Sequence, residues 1–177
     1  MIVTGGGRGI GAATAILAGQ HGFSVCVNYA RDHDAASAVV AQILSAGGQA
    51  EAIRADVGDE NDVRAMFDKA EDLFGNISAL VNNAGVVDRQ TSLASVSVER
   101  FERILRTNVI GAFNCAKMAV ARMSTEAGGS GGAIVNVSSV AARTGSPFEY
   151  TDYAASKGAL DTMTAGLARE AAPVGIR

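Results

Sequence analysis

Ile2-Val3-Thr4-Gly5-Gly6-Gly7-Arg8-Gly9-Ile10-Gly11 decides how the chain is organised. A short β-branched run enters a cluster of glycines. A helix-period segment over Gly9–Gln20 follows at once, with Ile10, Ala13 and Leu17 on one face. Gly5 permits the tight turn, Gly9 lets the backbone approach a ligand, and Gly11 lets the helix pack on the sheet. The first turn of such a helix carries free N–H groups and the positive end of its dipole, which together suit a phosphate. The spacing is G-x-x-x-G-x-G. We expect Gly5, Arg8, Gly9, Ile10 and Gly11 to hold a dinucleotide pyrophosphate; a tight strand-to-helix connection without a ligand is the alternative for the turn taken alone.

Outward from this turn, apolar runs alternate with helix-period segments. Residues 23–28 predict a second strand. Asp32 or Asp34 can cap the next helix, whose apolar face reads Ala35, Ala38, Val39 and Ile43. Residues 49–55 predict a third strand, and Asp59 caps a helix with Val63, Met66, Phe67 and Ala70 on one face. Ala79–Asn82 predicts a fourth strand and residues 98–123 a long helix. After the loop Gly128-Gly-Ser-Gly-Gly132, residues 133–137 are dense in Val and Ile, as in a strand covered on both faces. A last helix spans about Thr151–Ala171, with Leu160, Met163 and Leu167 as its stripe. This alternation predicts an α/β, Rossmann-like, doubly wound parallel sheet with helices on both faces, built as a single domain over residues 1–177.

The 177 residues, 48% of them hydrophobic, suffice for a substantial core. A net charge of −3 without a basic run gives no attraction to nucleic acid or anionic lipid. No apolar run is long enough to span a membrane, and the N-terminus does not resemble a signal peptide, so a cytoplasmic protein is expected. Cys26 and Cys115 lie far apart in apolar segments and read as buried free thiols. His21 and His33 lack a second ligand type at metal-site spacing, so no protein metal is assigned.

Polar clusters fall where the strands end, the edge at which ligands bind in such sheets. Strand two ends in Asn28-Tyr29-Ala30-Arg31, with no acid before Asp32. Arg8 and Arg31 without a carboxylate favour a 2′-phosphate, hence NADP(H) over NAD(H). Asp56 and Val57 end strand three, at a place to meet the adenine. Asn82-Asn83-Ala84-Gly85 ends strand four, and Ser138-Ser139 ends strand five. Tyr153 and Lys157 share one face of the last helix, so the cation can make the phenol acidic. Most such pairs are ordinary surface neighbours; the glycine turn is what gives this one weight. Asn108 falls on the buried stripe of the long helix, marked by Phe101, Ile104, Leu105 and Ala112. A buried amide left unpaired costs roughly 1–3 kcal/mol, so Asn108 either bonds to backbone or holds a water in a proton path.

Together these residues resemble the short-chain dehydrogenase/reductase family, over essentially the whole chain. Thr4-Gly5, Gly9 and Gly11 resemble its cofactor turn, with Asn82, Ala84 and Gly85 in its strand-four motif. Asn108, Ser139, Tyr153 and Lys157 resemble its catalytic tetrad. The nearest likeness is to 3-oxoacyl-carrier-protein reductases and glucose-dehydrogenase-like members. The resemblance implies hydride transfer between a nicotinamide and a small-molecule carbonyl or secondary alcohol. In it Tyr153 is the general acid/base, Lys157 lowers the phenol pKa and bonds the nicotinamide ribose, Ser139 polarises the carbonyl, and Asn108 anchors a relay water. A cofactor-binding protein without turnover is the rival reading. Two departures stand out. Ser139 to Tyr153 spans fourteen positions, one more than is usual, which places an extra residue in 146–150 and leaves Ser138 as the alternative serine. The family also continues past Arg177 into a sixth strand, a Pro-Gly loop, a lid and a seventh strand, so either the gene product is truncated, which would leave the nicotinamide side partly open, or the sequence covers only an ordered part of a longer chain. The resemblance implies a homodimer through the helices 98–123 and Thr151–Ala171, with Ala116, Ala119, Val120 and Met123 covered by the partner. A homotetramer is implied if the further strand exists.

Overall fold

The computed structural model describes all of residues 1–177. Strands β1 (Ile2–Val3), β2 (Ser24–Tyr29), β3 (Gln49–Arg54), β4 (Ala79–Asn82) and β5 (Ala133–Asn136) form one sheet in the order β3-β2-β1-β4-β5. Every pairing is parallel. The helices are α1 (Gly9–Gln20), α2 (His33–Ser45), α3 (Glu60–Phe74), α4 (Val98–Leu105), α5 (Ala112–Met123), α6 (Ala141–Thr144) and α7 (Thr151–Ala171). Asp32, Asp59 and Ser97 cap α2, α3 and α4 by accepting backbone N–H bonds, as short polar side chains do at helix starts.

Alternation along the strands builds two cores. Ile2, Cys26 and Leu80 face α3 and α5, where Met66, Phe67, Cys115 and Met123 are buried. Val3, Val25, Val27 and Val81 face α1 and α2, where Ala15, Ala18, Val39 and Ile43 are buried. The doubly wound expectation holds.

Several local expectations are corrected. The buried face of α1 is Gly11, Ala15, Ala18 and Gly19, and Ile10 and Leu17 are 66% and 54% exposed. The helix approaches its neighbours through its smallest residues: a Cβ on Gly19 would stand 2.5 Å from Ile43 Cγ2. On α2, Ala36 is buried rather than Ala35 or Ala38. The long helix is interrupted by a π-helical segment, Arg106–Gly111, which contains Asn108. Ala116, Ala119 and Met123 are buried within this chain and offer no patch to a partner; the exposed apolar residues along this stretch are Val98, Ile110 and Phe113. β5 is not covered on both faces, for Val135 is 53% exposed. Cys26 and Cys115, remote in sequence, share one core; burial pushes both thiols up to about 12.

The order of strands reverses about β1, which lies between β2 and β4. Its register sets Val3 beside Val27 and Val81. The next residues, Thr4, Asn28 and Asn82, therefore stand in a row at the sheet's carboxyl edge.

Candidate active site

Thr4, buried at the end of β1, links that strand to β4. Its Oγ1 donates to the Val81 carbonyl at 3.3 Å and accepts from the Asn83 and Ala84 N–H groups at 3.0 Å each. Asn83 returns the connection, donating through Nδ2 to the carbonyls of Thr4 (2.9 Å) and Gly5 (3.1 Å). Any side chain on Gly11 would collide with that amide and with the Gly5 carbonyl. Gly9, at φ 55°, has nothing within 4 Å of where a Cβ would stand. The glycine turn is thus closed on its inner side and open on its outer side.

No side chain caps α1, and its first turn holds no acid. Its leading N–H groups and dipole therefore remain available to an anion over Gly9. Arg8, the residue before the helix, and Arg31, beyond β2, are both exposed; neither side chain makes a hydrogen bond or ion pair with the protein. Asp32, the first acid after β2, accepts from Ala35 N at 3.0 Å as the cap of α2. The residues around the turn fit the pyrophosphate of a dinucleotide.

Asn28 and Asn82, expected to contact a ligand, are both buried and hydrogen-bonded within the protein. Asn28 is buried; its Oδ1 accepts from Gly5 N at 3.2 Å, and its Nδ2 donates to the carbonyls of Ile53 and Ala55. It shapes the turn from beneath. Asn82 donates to Ala112 O at 3.1 Å and to Asn136 Oδ1 at 2.9 Å, and Asn136 donates on to Thr164 Oγ1 of α7 at 2.8 Å. Asp56 is exposed at the end of β3 and accepts from Gly58 N at 2.9 Å. Val57 is buried, and its carbonyl accepts from Asn114. Ala84, half-buried beside Gly5, and Gly85, exposed, follow Asn83 after β4.

Asn108 bonds to backbone. Its Oδ1 accepts from Val86 N at 2.7 Å, and its Nδ2 donates to Val86 O at 2.9 Å and to Ser156 Oγ at 3.0 Å. Ser156 in turn donates to the Tyr153 carbonyl at 2.6 Å. The segment after β4 and the turn carrying Tyr153 are so joined through one amide. Asn108 Oδ1 and Lys157 Nζ flank Gly85, at 3.5 and 3.7 Å from where its Cβ would be.

Tyr153 is half-buried on α7, and its hydroxyl has no partner within the protein. Lys157 is 4% exposed. Its Nζ lies 5.7 Å from the Tyr153 ring centroid and donates to the Val137 carbonyl at 2.6 Å. Burial holds its pKa below the ordinary lysine range, with Asp161 acting in the opposite sense. Ser139 Oγ accepts from Ala141 N at 3.2 Å, which leaves its own proton to donate. Ser138 Oγ is buried without a partner.

Two features escaped the sequence reading. Thr4 and Asn83 hold the cleft together over a separation of 79 residues, which no local pattern signals. Asp152, which reads as an ordinary first-turn acid, is buried against Arg100 of α4. A cavity of about 190 Å³ beside that pair is lined by Leu93, Val96, Phe101 and Ala155 among others. Asp152 itself lines it, with Thr151 and Ala155 of the same helix, while the glycine turn and the Tyr153–Lys157 pair do not.

A family model described as short chain dehydrogenase matches residues 1–177. The chain is 54% identical over 176 residues to the uncharacterized oxidoreductase YgfF of Escherichia coli K12, spanning 99% of this chain and 71% of that protein. It is 37% identical over 175 residues to a 3-oxoacyl-[acyl-carrier-protein] reductase, FabG, of Staphylococcus aureus, spanning 99% of this chain and 69% of that one. A crystal structure from Burkholderia xenovorans, described as a short-chain dehydrogenase/reductase, superimposes with a TM-score of 0.91 at 39% identity, covering 99% of this chain and 72% of that one. With one model matching throughout and relatives this similar, the chain belongs to the short-chain dehydrogenase family of NAD(P)(H)-using oxidoreductases.

Proposed function

We propose that the protein interconverts a carbonyl and a secondary alcohol with NADP(H) preferred over NAD(H), using Tyr153 as the general acid/base. The observation that carries this reading is Lys157 buried beneath the Tyr153 ring face, 5.7 Å from its centroid. A poorly hydrated cation is little screened, so its field stabilises negative charge that develops on the phenol oxygen. The cofactor, when bound, supplies or accepts the hydride. In reduction Tyr153 gives its hydroxyl proton to the carbonyl oxygen, Ser139 donates a hydrogen bond to that oxygen, and Lys157 stabilises the resulting phenolate. Asn108 anchors a relay water on the Oδ1 lone pair that Val86 does not use, on the side facing Lys157 across Gly85. Gly5, Gly9, Ile10 and Gly11 line the pyrophosphate cradle. Asp56 and Val57 border the adenine, and Ala84 and Gly85 the ribose beyond it. Asn28 and Asn82 support these contacts from below. Arg8 and Arg31 meet the 2′-phosphate. The same reading includes a homodimer through the α4–α5 stretch and α7.

A nicotinamide absorbance assay over a panel of ketones, 3-oxoacyl esters and secondary alcohols tests the reaction. Tyr153→Phe is expected to lower turnover about 10²–10⁴-fold while leaving cofactor affinity largely intact; near wild-type turnover would overturn the assignment. Titration of both cofactors tests the preference. Replacing Arg8 and Arg31 by Ala should weaken NADPH binding about tenfold each and leave NADH nearly unchanged. Equal or tighter binding of NADH by the unmodified protein would reverse the conclusion.

A further inference from the structure

We infer that Arg100 is a positioning residue: its buried ion pair with Asp152 fixes the first turn of α7, and with it Tyr153, against α4 and the segment that follows β4. The inference rests on the proposed role of Tyr153.

Asp152 is the second residue of α7 and directly precedes Tyr153. Its side chain is 1% exposed and that of Arg100 13%. Oδ1 accepts from the Tyr153 N–H at 2.9 Å, and Oδ2 accepts from Arg100 Nε at 2.6 Å. A second guanidinium nitrogen donates to the Arg89 carbonyl at 2.8 Å. Arg100 is itself held at the start of α4, where its N–H donates to the capping Ser97 Oγ at 3.2 Å. One planar group thereby joins α4, the connection after β4 and the first turn of α7. The connection is also tied to the loop preceding α7: Thr91 N donates to the Glu149 carbonyl at 3.0 Å, and Gln90 Nε2 to Glu149 Oε1 at 3.2 Å.

Helix α7 has no side-chain cap at Tyr150, so Asp152 supplies the anion that its N-terminus otherwise lacks. Holding the pair out of water is unfavourable in itself, and apolar residues of the same volume would fill the space at lower cost. The remaining guanidinium nitrogen is buried with no partner, a further penalty. What this arrangement provides is direction. A fork bonding a carboxylate and a carbonyl at once fixes an angle as well as a distance, which a lysine cannot reproduce. The Tyr153 hydroxyl sits at the end of a side chain rooted in that turn. A displacement of about 1 Å at a reacting group can cost about 10²-fold in rate. The nucleotide cradle over Gly9 shares no residue with this pair.

The test compares Arg100→Lys, Arg100→Met and Arg100→Met/Asp152→Asn with the unmodified protein and Tyr153→Phe. The readouts are hydrogen exchange of the amides of residues 151–155, NADPH affinity by fluorescence, and kcat and KM on the fastest substrate of the panel. Arg100→Met should speed exchange in residues 151–155 and lower kcat, each by about tenfold or more, with NADPH affinity within about twofold. Arg100→Lys should fall between. The double variant should recover part of kcat, because no unpaired charge remains buried. Unchanged kcat and exchange in Arg100→Met would overturn the inference. So would a loss of protection spread over the whole sheet with loss of NADPH binding, which marks general destabilisation; if Arg100→Met fails to fold, Arg100→Lys reports on the same two outcomes. A Tyr153→Phe variant that keeps its rate, or an unmodified protein that turns over nothing, sinks the acid/base reading and this one with it. An inactive Tyr153→Phe beside a fully active Arg100→Met sinks this one alone.

Discussion

At the scale of single residues, the two adjacent serines offer a sharp contrast. Ser139 accepts from Ala141 N and its own proton remains free to donate, whereas Ser138 Oγ is buried with no partner. A hydroxyl without a partner is a desolvation penalty, and its removal relieves it. Ser138→Ala should therefore leave activity within about twofold and leave stability equal or raised, while Ser139→Ala should lose most turnover with cofactor binding retained. Parallel steady-state assays and urea titrations decide it, and a larger activity loss in Ser138→Ala would reverse the assignment. The residue types of this site were legible because each stands where a strand ends or on a helix face of fixed period. The uses of the asparagines were not. Asn28, Asn82, Asn83 and Asn108 look alike in sequence, yet their amides serve the carbonyls and N–H groups of Gly5, Ile53, Ala112, Thr4 and Val86, all non-local partners.

Among the elements, boundaries were easier to anticipate than faces. Helix α1 runs over the span its pattern indicates, but its buried face is the small one. Periodicity weighs large apolar side chains, and here contact is made by the absence of side chain. Gly19→Val should accordingly destabilise the protein by about 1–3 kcal/mol, since its Cβ would press on Ile43. Leu17→Gln, on the exposed face, should change stability by no more than about 0.5 kcal/mol. Urea midpoints compared at constant slope give both values. A neutral Gly19→Val would show that α1 can move away from α2 freely. The π-helical interruption at Arg106–Gly111 was equally hidden, because Asn108 keeps the helical phase of its stripe while its side chain pulls on Val86 across a connection.

For the whole molecule, the exposed Val98, Ile110 and Phe113 replace the buried Ala116, Ala119 and Met123 as the surface on which self-association would depend. Light scattering at micromolar concentration should return a dimer mass, and Phe113→Glu should shift it toward the monomer; a clean monomer for the unmodified protein would remove the homodimer from the reading. The two-sided sheet was predictable because the alternation of strands and helices admits few right-handed windings. The cleft was not, because its closure is long-range. Thr4 meets Val81, Asn83 and Ala84 across separations of 77, 79 and 80 residues. A chain growing from its amino end therefore makes the glycine turn early but cannot lock it until β4 has been synthesised and has docked beside β1. Loop closure over such a distance is a slow step in folding. A nucleotide that prefers the locked turn would draw the equilibrium toward the docked sheet, so the cofactor would serve this chain as a folding ligand before it serves as a reactant.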